Sequence, residues 1–82
     1  AKDNQNLFKS PMVGTFYRRP GREEPSYVEV GSKVKAEDVL CIIEAMKVMN
    51  EITANVSGEV KKVLMENGHP VEFGEPLFVI EA

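Results

Sequence analysis

The chain repeats itself, and this constrains its fold more than any single residue does. Gly31-x-x-Val34 recurs as Gly68-x-x-Val71, Leu40 as Leu77, and Ile43-Glu44-Ala45 as Ile80-Glu81-Ala82, at an offset of about 37 residues. Upstream the correspondence persists at a longer offset: Gly14-Thr15-Phe16 matches Gly58-Glu59-Val60, about 44 residues apart. The first copy therefore holds an insertion of about seven residues between Phe16 and Tyr27. The turn-rich, charged stretch Arg19-Pro20-Gly21-Arg22-Glu23-Glu24-Pro25-Ser26 is where it belongs.

Each copy consists of short β-branched and aromatic runs separated by turn residues, and no sustained helical period is present. Strands are expected over 7–10, 14–17, 27–28, 33–34, 39–45, 48–54, 58–65, 69–71 and 77–81, with Asn67-Gly68 as a strong turn marker. Neither copy closes a core alone, so the two predict an all-β pair of sheets packed face to face about a pseudo-twofold axis. The copies join at Met46-Lys47. The position equivalent to that junction in the second copy falls beyond Ala82, which places the chain ends opposite the junction. Gly14 and Gly58 recur at matching places, indicating a backbone role such as a bulge or a tight strand crossing.

An 82-residue chain has room for one small domain. Residues 7–82 are assigned to it, and the polar stretch 1–6 is expected to be a flexible remnant of a linker. The net charge of −3 and the scattered basic residues argue against a nucleic-acid partner. No apolar run is long enough for a membrane-spanning helix, and no signal-peptide pattern opens the chain. Cys41 is the only cysteine, so no internal disulfide is expected and a reducing compartment is implied.

The junction is where local rules fail. The runs 39–45 and 48–54 call for a hairpin, yet its central residues are Met46 and Lys47 rather than Gly, Asn or Asp. A two-residue type I′ loop needs positive φ at both, which costs about 1–2 kcal/mol for each residue with a side chain. A turn held against its own propensity marks function. It lifts a lysine amine clear of the domain, on a rigid platform suited to covalent attachment. Alkyl amines are mostly protonated at neutral pH, so an acylating enzyme must help remove the proton. Met46 and Val48 flank the lysine, and exposed methionines suit recognition by a partner surface. Lys2, Lys9, Lys33, Lys35, Lys61 and Lys62 lack this setting and are read as solvated.

Glu44-Ala45-Met46-Lys47 resembles the biotin attachment motif of biotin-dependent carboxylases. Cys41-Ile42-Ile43 before it and Met49-Asn50-Glu51-Ile52 after it extend the match. Ser10-Pro11-Met12-Val13-Gly14-Thr15-Phe16-Tyr17, followed by the insertion, is similar to the biotin carboxyl carrier family of bacterial or plastid-type acetyl-CoA carboxylase. The resemblance implies a flattened β-barrel, or barrel-sandwich hybrid, of two four-stranded antiparallel sheets with a protruding thumb at about 19–26. It implies biotin on Lys47, attached by a biotin protein ligase that reads Glu44, Ala45, Met46 and Val48. Thumb residues Arg19, Pro20, Gly21, Arg22, Glu23, Glu24, Pro25 and Ser26 would lie near the biotin. The implied partners are the biotin carboxylase and carboxyltransferase subunits, and the implied role is carriage of a carboxyl group between them for malonyl-CoA formation in fatty acid biosynthesis. The location would be bacterial cytoplasm or plastid stroma. Three positions depart from the family pattern: Val48 where Met is frequent, Arg19 where a small hydroxylated residue is frequent, and Ala36 where glycine is common.

Other residues carry weaker signals. Glu44 suits a ligase contact, but its twin Glu81 has no such task. Glu37, Asp38, Glu44 and Glu51 make a slightly acidic rim fit to meet a basic ligase face. Met49 points away from Val48, which leaves recognition and core packing both open. Cys41 reads as a buried small hydrophobe. His69, without clustered ligands, is not expected to hold a metal. No catalytic set of nucleophile, base and orienter assembles from these residues. Two alternatives share the fold: a lipoyl carrier of a 2-oxo acid dehydrogenase, whose lysine usually follows Asp, and an unmodified barrel-sandwich interaction module.

Overall fold

The computed structural model describes residues 6–82, so most of the expected linker remnant, residues 1–5, lies outside the described residues. Eight strands form from the β-branched and aromatic runs: β1 (Leu7–Lys9), β2 (Gly14–Tyr17), β3 (Lys33–Val34), β4 (Val39–Ala45), β5 (Val48–Thr53), β6 (Gly58–Val63), β7 (His69–Val71) and β8 (Pro76–Glu81). They make two four-stranded antiparallel sheets, ordered β1-β8-β6-β3 and β5-β4-β2-β7. Replacing each strand by its repeat partner (β1 by β5, β2 by β6, β3 by β7, β4 by β8) turns one order into the other. The pseudo-twofold expected from sequence is therefore a property of the topology.

The hydrogen bonds obey the same symmetry. Gly31 N–H donates to Val60 C=O at 2.8 Å, and its twin Gly68 N–H donates to Phe16 C=O at 2.7 Å. The Asp38 carboxylate accepts Lys35 N–H at 2.8 Å to close one turn, and Glu75 accepts Glu72 N–H at 2.9 Å to close the other. Gly31 and Gly68 both have positive φ, at 97° and 83°, which explains why glycine stands at this corner in each copy.

The core lies between the sheets. Phe16, Leu40, Ile43 and Val71 from one sheet meet Val60, Leu77, Phe78 and Ile80 from the other. The Phe16 and Phe78 rings tilt against each other across the gap, centroids 5.8 Å apart. Each fully buried side chain of this kind contributes about 1.5–3 kcal/mol. The result is a flattened barrel of 34 × 25 × 20 Å.

Gly14 and Gly58 are places of close approach. A Cβ on Gly14 would run into the carbonyl oxygen of Glu44, and one on Gly58 into that of Glu81. Glu44 and Glu81 are themselves twins. Each glycine thus lets a β2- or β6-type strand press against the end of the strand preceding the repeat junction.

Several strand limits differ from the sequence expectation. Residues 27–28 form no strand, because their backbone groups are used to close the insertion: Tyr27 N–H donates to Arg18 C=O at 2.9 Å, and Val28 C=O accepts from the Arg18 guanidinium at 3.0 Å. Ser10 and Ala54 fall outside their strands because their N–H groups turn to Glu75 and Asp38 carbonyls, each at 2.9 Å. The run 58–65 ends as a strand at Val63, and β8 starts one residue early, at Pro76.

The ends of the described residues, Asn6 and Ala82, lie away from the Met46-Lys47 junction. Asn6 and Ala82 line one cleft with Val56 and Ser57, which follow the far end of β5. Six residues of strand separate that end from the junction, about 20 Å.

Candidate functional site

The β4–β5 hairpin closes on the pair Ala45↔Val48, leaving Met46 and Lys47 as a two-residue loop. Both adopt left-handed backbone, with φ of 52° and 65°. These are the signs a type I′ turn requires, adopted by residues that disfavour them. Support comes from both flanks. β5 pairs with β4 along nearly its whole length, and the Asn50 side-chain amide donates to Ile43 C=O and Val48 C=O, each at 3.2 Å. On the other side β2 pairs Thr15 with Glu44 and Phe16 with Ile43, and the bare Gly14 lets it come close to Glu44. The hairpin root is clamped while the tip is free: Met46 is 95% exposed and Lys47 is exposed.

The residues expected to be read by a ligase gather at this root. Glu44 and Ala45 are partly buried at the end of β4, and Val48 faces Ala45 and is exposed. Met49, for which core packing was open, is instead exposed opposite Glu44. Strand parity places it on the outer face of the sheet, since Phe16, Ile43 and Ile52 take the core side.

The insertion folds against that outer face. Its base is a knot around Arg18, which sequence reasoning missed. Arg18 N–H donates to the Asn67 side-chain carbonyl at 2.8 Å, its carbonyl accepts from Tyr27, and its guanidinium reaches Val28 C=O and the Glu29 carboxylate, both at 3.0 Å. Inside the loop, Glu24 N–H donates to Gly21 C=O at 3.2 Å. Arg19, Pro20, Gly21 and Arg22 line a groove of about 320 Å³ together with Tyr17, Met49 and Asn67. Glu23, Glu24, Pro25 and Ser26 do not line it. The structure thus brings the first half of the insertion and the hairpin strand to one groove. Arg18 and Asn67 were legible only as a charge and as a turn marker; the contact between them spans 49 residues of sequence.

The remaining reactive side chains stand apart from this tip. Burial pushes the Cys41 thiol up to about 12 and keeps it neutral within the core. The Tyr27 hydroxyl is also raised, first by burial and then by the Glu51 carboxylate. His69 is exposed on β7. Among the described residues no three His, Cys, Asp or Glu side chains converge as a metal site would require, and no helix is long and apolar enough to cross a membrane.

Residues 6–80 match a family of domains described as biotin-requiring enzyme. The chain is 57% identical over 79 residues to the biotin carboxyl carrier protein of acetyl-CoA carboxylase from Pseudomonas aeruginosa, covering 96% of this chain and 51% of that protein. It is 58% identical over 76 residues to the protein of the same name from Haemophilus influenzae, covering 93% of this chain and 49% of that one. A chloroplastic biotin carboxyl carrier protein of Arabidopsis thaliana is 58% identical over 72 residues, covering 88% of this chain and 28% of its own. The chain spans about half the length of the bacterial relatives, or less of the plant one. Among solved structures, the urea carboxylase of Kluyveromyces lactis superposes with a TM-score of 0.74 at 37% identity, over 92% of this chain and 6% of that enzyme. A single-chain, multi-domain long-chain acyl-CoA carboxylase superposes with a TM-score of 0.73 at 23% identity, over 92% and 7%, which supports the fold.

Proposed function

We propose that this chain, which belongs to the biotin-requiring family whose pattern it matches over residues 6–80, is a covalent biotin carrier of acetyl-CoA carboxylase with Lys47 as its attachment point. The observation that carries the reading is the left-handed Met46-Lys47 turn, which holds an exposed amine at the tip of a clamped hairpin. Residues 7–82 act as the carrier domain and 19–26 as its thumb. A biotin protein ligase reading Glu44, Ala45, Met46 and Val48 brings biotinyl-AMP to the tip. The Lys47 Nζ lone pair forms the amide bond, the acyl–phosphate bond breaks, AMP leaves, and the amine gives up a proton.

The site fits the group. Met49 stands two residues from Lys47, about 7 Å along the strand, so a ring held on the amine falls within reach of the groove that Tyr17, Met49 and Arg19 to Arg22 line. When bound, biotin supplies a ureido nitrogen that takes up and gives away a carboxyl group. The protein holds that nitrogen on a rigid post and presents it in turn to a biotin carboxylase and to a carboxyltransferase, where malonyl-CoA forms for fatty acid biosynthesis. Tethering replaces diffusion between the two sites by a high effective concentration. The chain itself catalyses no step. Its bacterial and chloroplastic relatives suggest a bacterial cytoplasm or plastid stroma as its place.

Intact mass and an avidin blot, after incubation with a biotin protein ligase, biotin and MgATP, test the reading. One biotin increment is expected, absent in Lys47→Arg, because arginine keeps the charge but is not acylated. A lipoyl increment without avidin signal would assign the tip to the other cofactor. Full carboxyl-transfer activity in Lys47→Arg would reduce the domain to an assembly module.

A further inference from the structure

The two ends of the barrel are built alike, so each serves as a reference for the other. The lysine end carries the loops 10–13 and 72–75 around the hairpin tip; the pseudo-twofold relates them to 54–57 and 35–38 at the far end. The backbone bonds shaping these loops match, as at Ser10→Glu75 and Ala54→Asp38, both 2.9 Å. The side chains do not. Val13 stands where the far end has Ser57, Phe73 where it has Ala36, and Glu72 where it has Lys35.

Val13 is 64% and Phe73 75% exposed, so neither serves the core. Their twins show that the same turns close with Ser and Ala. The register Gly14↔Val71 sets Val13 beside the Glu72-Phe73 turn, and the approach of Gly14 to Glu44 sets it beside the hairpin root. Together with Met46 and Val48 they give Lys47 an apolar collar on both sides. Val56 is the large exposed apolar residue at the far end, and Val30 and Leu64 belong to the side connections 18–32 and 64–68.

We propose that Val13 and Phe73 form a second contact for the biotin protein ligase, on the β2–β7 side of the hairpin. The proposal rests on Lys47 being the biotinylated residue. A ligase selects one lysine before any cofactor is present to mark it, so it must read protein surface. A specific interface buries about 800 Å² per partner, more than a two-residue tip offers, and the collar adds exposed apolar surface beside it. Charge indicates the partner's chemistry: Glu44, Glu72 and Glu75 belong to the elements that form the collar, with Lys9 and Lys47 near them and Arg19 and Arg22 in the groove on the other side, while the far end mixes Lys33, Lys35 and Lys61 with Asp38, Glu59 and Glu81. The matching face is an apolar hollow with a cationic rim placed to meet Glu44, Glu72 and Glu75.

The test is the initial rate of biotinylation of the full 82-residue chain by purified ligase, read by avidin, for wild type, V13S, F73A, V13S/F73A and the far-end control S57V/A36F. The double variant is expected to lose about ten- to hundredfold in kcat/KM, through KM, as truncated apolar anchors do, while the control stays within about twofold. The chain carrying K47R is expected to inhibit wild-type labelling competitively, with its inhibition constant weakened by the same factor in K47R/V13S/F73A. If circular dichroism shows the double variant unfolded, V13K alone, at a solvent-facing site, is expected to give the loss by repelling the cationic rim. Unchanged kcat/KM in the folded double variant overturns the proposal. So does a loss confined to carboxyl transfer, which would give the collar to the carboxylase subunits, or to self-association in sedimentation, which would give it to a second copy. Failure of wild-type Lys47 to take biotin at all would instead overturn the carrier reading beneath it.

Discussion

Met46 offers a clean measurement of the strain at the hairpin tip, because its side chain touches almost nothing: at 95% exposure its removal forfeits no packing. Its φ of 52° costs a residue with a Cβ about 1–2 kcal/mol. Met46→Gly removes that cost but adds about 0.5–1 kcal/mol of backbone entropy lost on folding, for a net gain of about 0.5–1 kcal/mol. A domain of this size shifts by about 4–8 °C per kcal/mol, so Tm is expected to rise by about 2–8 °C. Met46→Asn, which tolerates the left-handed region, is expected to rise by a smaller amount. Met46→Ala keeps the Cβ and is expected to stay within about 1 °C of wild type. Calorimetry on the unbiotinylated chain compares the four proteins, and ligase labelling is expected to fall in all three variants with the loss of the methionine. If Met46→Gly is no more stable than Met46→Ala, the turn stores no strain, and the hairpin cannot be described as held against its own propensity.

Three further outcomes follow from the same geometry. Gly14→Ala and Gly58→Ala are each expected to cost about 2–4 kcal/mol in urea denaturation, because the new Cβ meets the backbone carbonyl of Glu44 or Glu81; Gly21→Ala, whose nearest neighbour is a flexible Glu24 side chain at 3.5 Å, is expected to be near neutral. The Cys41 thiol ionises at about 12 when folded against an ordinary value of 9.0, so above pH 9 the unfolded chain sheds a proton that the folded one keeps, and stability falls as pH rises toward 12; the slope between pH 9 and 10.5 is expected to exceed that of Cys41→Ala by up to about 1.4 kcal/mol per pH unit, and an equal slope would refute it. Asn67→Ala is expected to lower global stability by no more than about 1 kcal/mol while raising amide exchange at Arg18 and Tyr27, since it removes the acceptor 2.8 Å from Arg18 N–H at the root of the thumb; unchanged exchange would show that the thumb base holds without it.

The strand plan and the hairpin tip were legible because both are written in local pattern. Alternating apolar runs placed the strands, the matching glycines announced the close approaches, and Met46-Lys47 stood out as wrong turn chemistry that the φ values then bore out. What escaped is non-local. Residues 27–28 have strand-like composition, but their backbone groups go to Arg18, and nothing near Tyr27 in the sequence says so. Met49 has the hydrophobicity of a core residue; its exposure follows from parity with Ile52. Asn50 stood in the sequence only as part of Met49-Asn50-Glu51-Ile52, and its bonds to Ile43 and Val48 appear only once β4 and β5 are paired.

The duplication also separates what the fold requires from what the function requires. Where the copies agree, at Gly14 and Gly58, at Gly31 and Gly68, or at the carboxylate turns of Asp38 and Glu75, the shared residue answers a shared backbone demand. Where they differ, the backbone has shown that either residue closes the structure. Asn67 accepts from Arg18 at the thumb root, whereas its twin Val30 lies exposed in the other copy. Val13 and Phe73 answer to Ser57 and Ala36, and Lys47 has no twin within the chain. These differences gather around the hairpin tip and the groove beside it. A residue kept apolar in water, at a position whose twin is small or polar, is not explained by folding: Val30 is one such residue in the side connection 18–32, and Val13 and Phe73 are two at the lysine end, where contact with another molecule would use them.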